Sequence, residues 1–302
     1  MEDFAVTESW AGITICQLDP YEFTVDGPMN EQYLDSMEAY HPRYAAGRSG
    51  QAAIVHPGLL LNRSNDTRSP SYRIPSREAG IHAKDEAYFL GLVYVGEPMR
   101  TTWEYTDRYE RRGRPYLVIE CSIRHLDGRP ILRRRLVRTI TTDSAPIVAK
   151  REPTALEGTV AAREAGPPSS ASADPDIGRR LYGRLKTMTL DRMRMFSGPN
   201  RNIHTDEVAA TAAGLPKPIV SATQSMGHIC ELMVDYFGDQ WLASGTLKAT
   251  FVRPIVMDDV VGYEGRITAK TPSESGTGYE VSVTGANQLG QPVTVATASA
   301  VH

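Results

Sequence analysis

The chain of 302 residues is 41% hydrophobic and 23% charged with a net charge of −3, a balance that allows about two buried cores and supplies no basic field for nucleic acid or an anionic membrane. No apolar run approaches the ~20 residues of a membrane-spanning helix. Three distant cysteines, Cys16, Cys121 and Cys230, argue against a disulfide framework; with an acidic start, Met1-Glu2-Asp3-Phe4, and no secretory pattern, the expected compartment is the cytoplasm.

In chain order, Gly12–Cys16 is a short strand candidate, and Pro28–Tyr40 reads as an amphipathic helix with proline in its first turn, closed by His41-Pro42. Residues 52–62 form a short buried segment, and 63–77, with Pro70 and Pro75, read as a loop. From residue 84 the period becomes two. Strands are expected over Ala87–Val95, Met99–Arg108, Tyr116–His125 and Ile131–Ile140, with Asp127-Gly128 as a hairpin turn. Residues 166–175, rich in proline, serine and alanine, read as a linker.

The second half repeats this plan. A short apolar run, Leu185–Leu190, leads into a polar turn at 196–206. A short helix over Asp206–Ala213 is closed by Gly214, and a longer one over Thr223–Phe237 places Met226, Ile229, Cys230, Met233, Val234 and Phe237 at helical spacing. Four strands follow: Gly245–Pro254, Val260–Ala269, Tyr279–Ala286 and Thr294–Val301. Each half is thus a helical segment followed by an antiparallel meander, the mark of a diverged internal duplication. The expected organisation is a domain over 1–150, a linker over 151–180 and a second domain over 181–302.

Several segments of the second half resemble the MaoC-like dehydratase domain, the family of (R)-specific enoyl-CoA hydratases. They are Phe196-Ser197-Gly198, Ile203-His204-Thr205-Asp206, the run from Ala213 to Ile219, the run from Gly245 to Ile255, and Asp258-Asp259. The first half resembles the divergent partner in double-hot-dog hydratases. The resemblance implies an α+β double hot dog: two antiparallel sheets, each wrapped round a helix, forming a pseudo-dimer. It further implies a hydro-lyase acting on 2-enoyl and 3-hydroxyacyl thioesters in fatty-acid or polyketide metabolism. The thioester would be carried on coenzyme A or a carrier protein, with no cofactor, no metal and a monomeric or homodimeric state.

The family turn reads F-S-G-D-x-N-P-x-H, in which Asp and His activate a water. Here the His is His204, but the Asp position is Pro199, the Asn position Arg201 and the Pro position Asn202. His204 is the expected general acid/base. Asn202 and Asp206 are its candidate catalytic partners, Asn202 holding water and Asp206 orienting the ring; turn and helix-cap roles stand beside these. Asp206 or Glu78 would restore a dyad. Arg201, Asn200, Ser221, Ala222, Thr223 and Gln224 are the candidate substrate-binding residues. The N–H of Ala222 or Thr223 at the helix start would polarise the thioester carbonyl.

His56, His82 and His228 read as structural. Arg111, Arg112 and Arg114, with Arg124, Arg129 and Arg133–Arg135, form either a solvated sheet face or a phosphate dock. The first half is expected to shape an acyl tunnel, with Tyr72, Tyr88, Tyr94 and Trp103, and to do no chemistry. Two alternatives to hydration stay open: isomerisation, cyclisation or elimination by one imidazole, and a non-catalytic acyl-binding subunit.

Overall fold

Both expected meanders are present in the computed structural model, which describes residues 16–45, 52–72, 79–141, 174–273 and 276–302. The strand candidate at Gly12–Cys16, Cys16 apart, and the linker up to residue 173 lie outside them. The first half contains β1 (Gln17–Thr24), α1 (Gly27–Met37), α2 (Pro57–Arg63), β2 (Ala79–Phe89), β3 (Pro98–Arg111), β4 (Arg114–His125) and β5 (Pro130–Thr141). The second contains β6 (Arg180–Tyr182), β7 (Lys186–Thr187), α3 (Leu190–Ser197), α4 (Glu207–Ala212), α5 (Ala222–Phe237), α6 (Asp239–Ser244), β8 (Thr246–Phe251), β9 (Val260–Ser273), β10 (Gly276–Asn287) and β11 (Pro292–Val301).

The strands form one sheet in the order β1-β3-β4-β5-β2-β8-β11-β10-β9-β6, with β7 also on β9. Its seam is the antiparallel pairing of β2 with β8, where Lys84 faces Thr250 and Tyr88 faces Thr246. The two meanders of the double hot dog therefore join edge to edge, and the main apolar core runs from Phe23 to Ala300 through both, with smaller clusters round Trp103 and Ala210. At its centre lies α5, whose apolar stripe is buried on all the expected positions; each such side chain contributes roughly 1.5–3 kcal/mol on burial. Gly238, at φ 67°, ends it.

The helix of the first half is much shorter. His56 caps α2 by accepting from the Gly58 N–H, and α2 crosses α5 where a Cβ on Gly58 would lie 3.0 Å from the Gly227 Cα. Arg134 and Trp103 pack against the end of α2. The buried Arg134 donates to the carbonyl of Leu61 and to the Ser64 hydroxyl, both at 2.8 Å, and pairs with Asp85. Trp103 donates to the Ser64 carbonyl at 2.8 Å. An arginine at the C-terminal end of a helix meets the carbonyls left over by the helical ladder.

Some boundaries differ from expectation. β2 begins at Ala79 and ends at Phe89, not Ala87–Val95. Its inward charged residue, Asp85, pairs with Arg134, and that partnership is invisible to a hydrophobic pattern. α1 stops at Met37, because Glu38 takes a left-handed conformation at φ 51°. β1, β6, β7 and α6 have no counterpart among the expected elements.

Candidate active site

The turn at 198–206 is built from its own polar residues. Asn202 accepts from the His204 N–H at 2.8 Å and donates to the Asn200 carbonyl at 3.0 Å. The Thr205 hydroxyl donates to the same carbonyl at 2.7 Å. The first half pins the helix before it. Asn62 of α2 donates to the Phe196 carbonyl at 3.2 Å, Gln32 of α1 donates to the Met195 carbonyl at 3.1 Å, and the rings of Tyr33 and Phe196 lie 4.9 Å apart.

His204 is partly buried, and its Nδ1 lies 2.8 Å from the carbonyl oxygen of Ile219. A carbonyl only accepts, so Nδ1 carries the proton and Nε2 keeps the basic lone pair. The Ile219 N–H donates to the Ile203 carbonyl at 3.0 Å, locking the two segments side by side. Ile219 also bridges Val256, and Asp259 supports that corner by accepting from the Val256 N–H at 2.9 Å. Burial pushes the His204 imidazole below its ordinary pKa; the Ile219 carbonyl opposes this and the Arg138 charge adds to it.

Two residues past Ile219, Ser221 stands at the N-cap position of α5, where its hydroxyl lies 2.8 Å from that of Thr223 and bonds no backbone N–H of the helix. The N–H groups of Gln224 and Ser225 bond back to the Ser221 carbonyl, so Ala222 and Thr223 carry the opening N–H groups of the helix. Gln224 is buried and points its amide nitrogen toward the Ser36 carbonyl of α1, 3.4 Å away.

The remaining candidates are engaged elsewhere. Asp206 caps α4 by accepting from the Ala209 N–H at 2.9 Å, and Arg201 holds it through two contacts of 3.1 Å. The hydrogen bond from Arg201 is the first reason that its carboxyl sits below the usual range. Asp206 therefore does not orient His204. Asn202 serves the turn, and Arg201 and Asn200 are exposed. Glu78 lies outside the described residues.

The arginine-rich zone also divides. Arg111–Arg114 and Arg124–Arg129 sit at opposite ends of the β3–β4 hairpin. Arg135 faces Glu86 and Glu120 across the strands. Arg134 and Arg138 point inward with Leu132 and Leu136. Arg138 pairs with Asp66 at 2.6 Å, and Tyr105 donates to Asp66 at 3.1 Å. Tyr72 hydrogen-bonds Arg138. His82 lies directly across the β2–β5 ladder from Arg138. From the sequence alone His82 reads as structural, Tyr72 as a tunnel residue and Arg134 as part of the basic zone, and the inward placement of Arg134 and Arg138 is not read. The signal was the period-two pattern of 132–138, which puts two arginines on the leucine face.

A family model described as MaoC like domain matches residues 176–287. Solved structures share the fold over nearly the whole chain. One described as a MaoC-like dehydratase has a TM-score of 0.70 at 16% identity, covering 94% of this chain and 97% of its own. A putative MaoC domain protein dehydratase from Chloroflexus aurantiacus J-10-fl gives 0.68 at 12%, covering 96% of each. A conserved hypothetical protein from Mycobacterium tuberculosis with a double hotdog fold gives 0.66 at 13%, covering 96% and 97%. No curated protein matched the sequence.

Proposed function

The chain carries a MaoC-like domain over residues 176–287, and from that premise we propose that it hydrates or dehydrates an acyl thioester of the 2-enoyl and 3-hydroxyacyl type. The observation that supports this most is the His204 Nδ1 contact with the Ile219 carbonyl. It leaves one basic atom, Nε2, in a segment locked to the entrance of α5. A thioester carbonyl at the N–H groups of Ala222 and Thr223 would gain enolate character at C2 as water attacks C3. His204 Nε2 takes the water proton as the O–C3 bond forms, and the resulting imidazolium returns a proton to C2. The reverse sequence is dehydration.

The test is interconversion of a short 2-enoyl-CoA and its 3-hydroxyacyl-CoA, followed by loss of the conjugated thioester absorbance. His204→Gln should lower kcat/KM by ~100-fold or more, the scale of a lost general base. Full activity in that variant would overturn the reading. A second reading draws on Pro199 and on the engagement of Asp206 with Arg201: a one-base isomerisation, cyclisation or elimination. Product analysis with an acyl thioester lacking any 3-hydroxyl separates the two.

A further inference from the structure

Among the buried polar atoms of the first half without a hydrogen-bond partner among the described residues are Nδ1 of His82, which lies 3.7 Å from the Asp85 carboxylate, and Nε of Arg138. They belong to cross-strand neighbours, and β2 bulges directly after His82, between it and Lys84. A bulge turns a side chain away from the regular pleat and is a common feature beside active sites. The His82 ring lies 6.5 Å from that of Phe251, at the end of β8. From there the chain runs to Val256, which bridges Ile219, the residue that holds His204. His82 and His204 are thus each linked to the 251–256 stretch, His82 by its ring contact with Phe251 and His204 through Ile219 and Val256. The Arg138 charge reaches both imidazoles, and that of His204 reaches His82.

Charge narrows what this wall can hold. Arg138 is paired with Asp66, and Arg134 with Asp85, so each cation already has its carboxylate. The atoms left over, the His82 ring nitrogen and the Nε–H of the charge-balanced Arg138, suit a water or a hydroxyl and give no surplus charge for an anion. Burial first, then Arg138, Arg134 and His204, hold His82 well below its ordinary pKa, so at neutral pH it is an uncharged imidazole.

We propose that His82 is a second catalytic residue of the site, holding the reacting water, or the 3-hydroxyl in reverse, against His204 Nε2. The assignment rests on the hydration reading above. His82 neither gains nor loses a proton over the cycle. The water proton passes to His204 Nε2 and from there to C2, while the neutral His82 ring gives the oxygen one hydrogen bond.

A neutral holder and a proton carrier respond differently to substitution. With a four-carbon 2-enoyl-CoA as probe, His82→Leu should lower kcat/KM by about 10–100-fold, the scale of one hydrogen bond to a reacting group. His82→Asn keeps an amide near the Nδ1 position and should recover most of that loss, whereas His204→Asn should recover nothing relative to His204→Gln. The pH limb set by His204 should persist in His82→Asn. His82 is faced by Asp85 and Arg134 as well as Arg138 and His204, so imidazole nitrogen NMR supplies a readout without turnover. His204→Gln should move the His82 titration upward, and His125→Gln should not.

Turnover lost in His204→Gln but kept within about twofold in a folded His82→Leu would overturn the role of His82 alone. So would a His82 titration indifferent to His204→Gln, even where His82→Leu fails to fold. No turnover in the wild type with any 2-enoyl or 3-hydroxyacyl thioester would overturn both the role and the hydration reading.

Discussion

Each polar residue of the 198–206 turn has a job that can be separated from chemistry. Asp206 caps α4 and holds Arg201. Asp206→Ala should therefore lower Tm by about a few degrees while leaving kcat/KM within a few-fold; a drop on the scale of His204→Gln would return Asp206 to the catalytic set. Asn202 differs, because its carbonyl oxygen fixes the His204 backbone. Asn202→Ala should lower kcat by about tenfold with little change in KM, as expected when an acid/base loses its aim by a fraction of an ångström. At this scale the sequence was legible where a residue acts through its own turn, as with the capping role of Asp206. It was not legible where the partner is distant. Asp66, Asp85, Arg134 and Arg138 acquire meaning only when β2, β5 and the chain after α2 meet.

Two helices of unequal length share the centre of the sheet, and their crossing explains two glycines. A Cβ at Gly58 would lie 3.0 Å from the Gly227 Cα, in backbone that has little room to move. A Cβ at Gly227 would meet the Met37 Cε at 2.7 Å, the end of a flexible side chain, and the Gly58 Cα only at 3.5 Å. Alanine gains up to about 1 kcal/mol over glycine inside a helix, against about 1–3 kcal/mol for overpacking. Gly58→Ala should therefore be destabilising by about 1–2 kcal/mol and Gly227→Ala close to neutral, as read from paired denaturant midpoints. The reverse order would mean that α2 can move and Met37 cannot. The long α5 was readable because its stripe repeats over four turns. The start of β2 was not, since its inward Asp85 breaks the alternation that marks a strand.

The halves are held together by more than the β2–β8 seam. Lys186 of β7 donates to the Met37 carbonyl at 2.6 Å and the Glu38 carbonyl at 3.0 Å, and pairs with Glu231 of α5 at 3.2 Å. His56 Nε2 lies 3.7 Å and His228 Nδ1 3.9 Å from that carboxylate. This buried junction, with a cleft of about 30 Å³ opening beside His228 and Glu231, makes the fold sensitive to acid. Burial is the main cause that lowers the His56 pKa from 6.5 to about 4; Glu231 opposes it, and His228 and Lys186 add to it. Unfolding between those pH values therefore takes up a proton. The stability owed to neutral His56 is complete above about pH 6.5 and is lost as pH falls toward 4, by roughly 3 kcal/mol in total at about 1.4 kcal/mol per unit. Burial pushes the Glu231 carboxyl up, but His228, His56 and Lys186 outweigh it and hold it below the usual range. Its contribution is present above its ordinary pKa and fades at still lower pH, in the same direction. His204 and His82 are depressed as well and add to the proton uptake. The measurement is Tm from pH 8 to 4 in the wild type and in His56→Gln, whose amide oxygen can still accept from the Gly58 N–H. The wild type should hold a plateau and then fall, and the variant should fall by about one proton less. Parallel curves would mean that His56 is protonated in the fold, with Glu231 as its charged partner across the two halves.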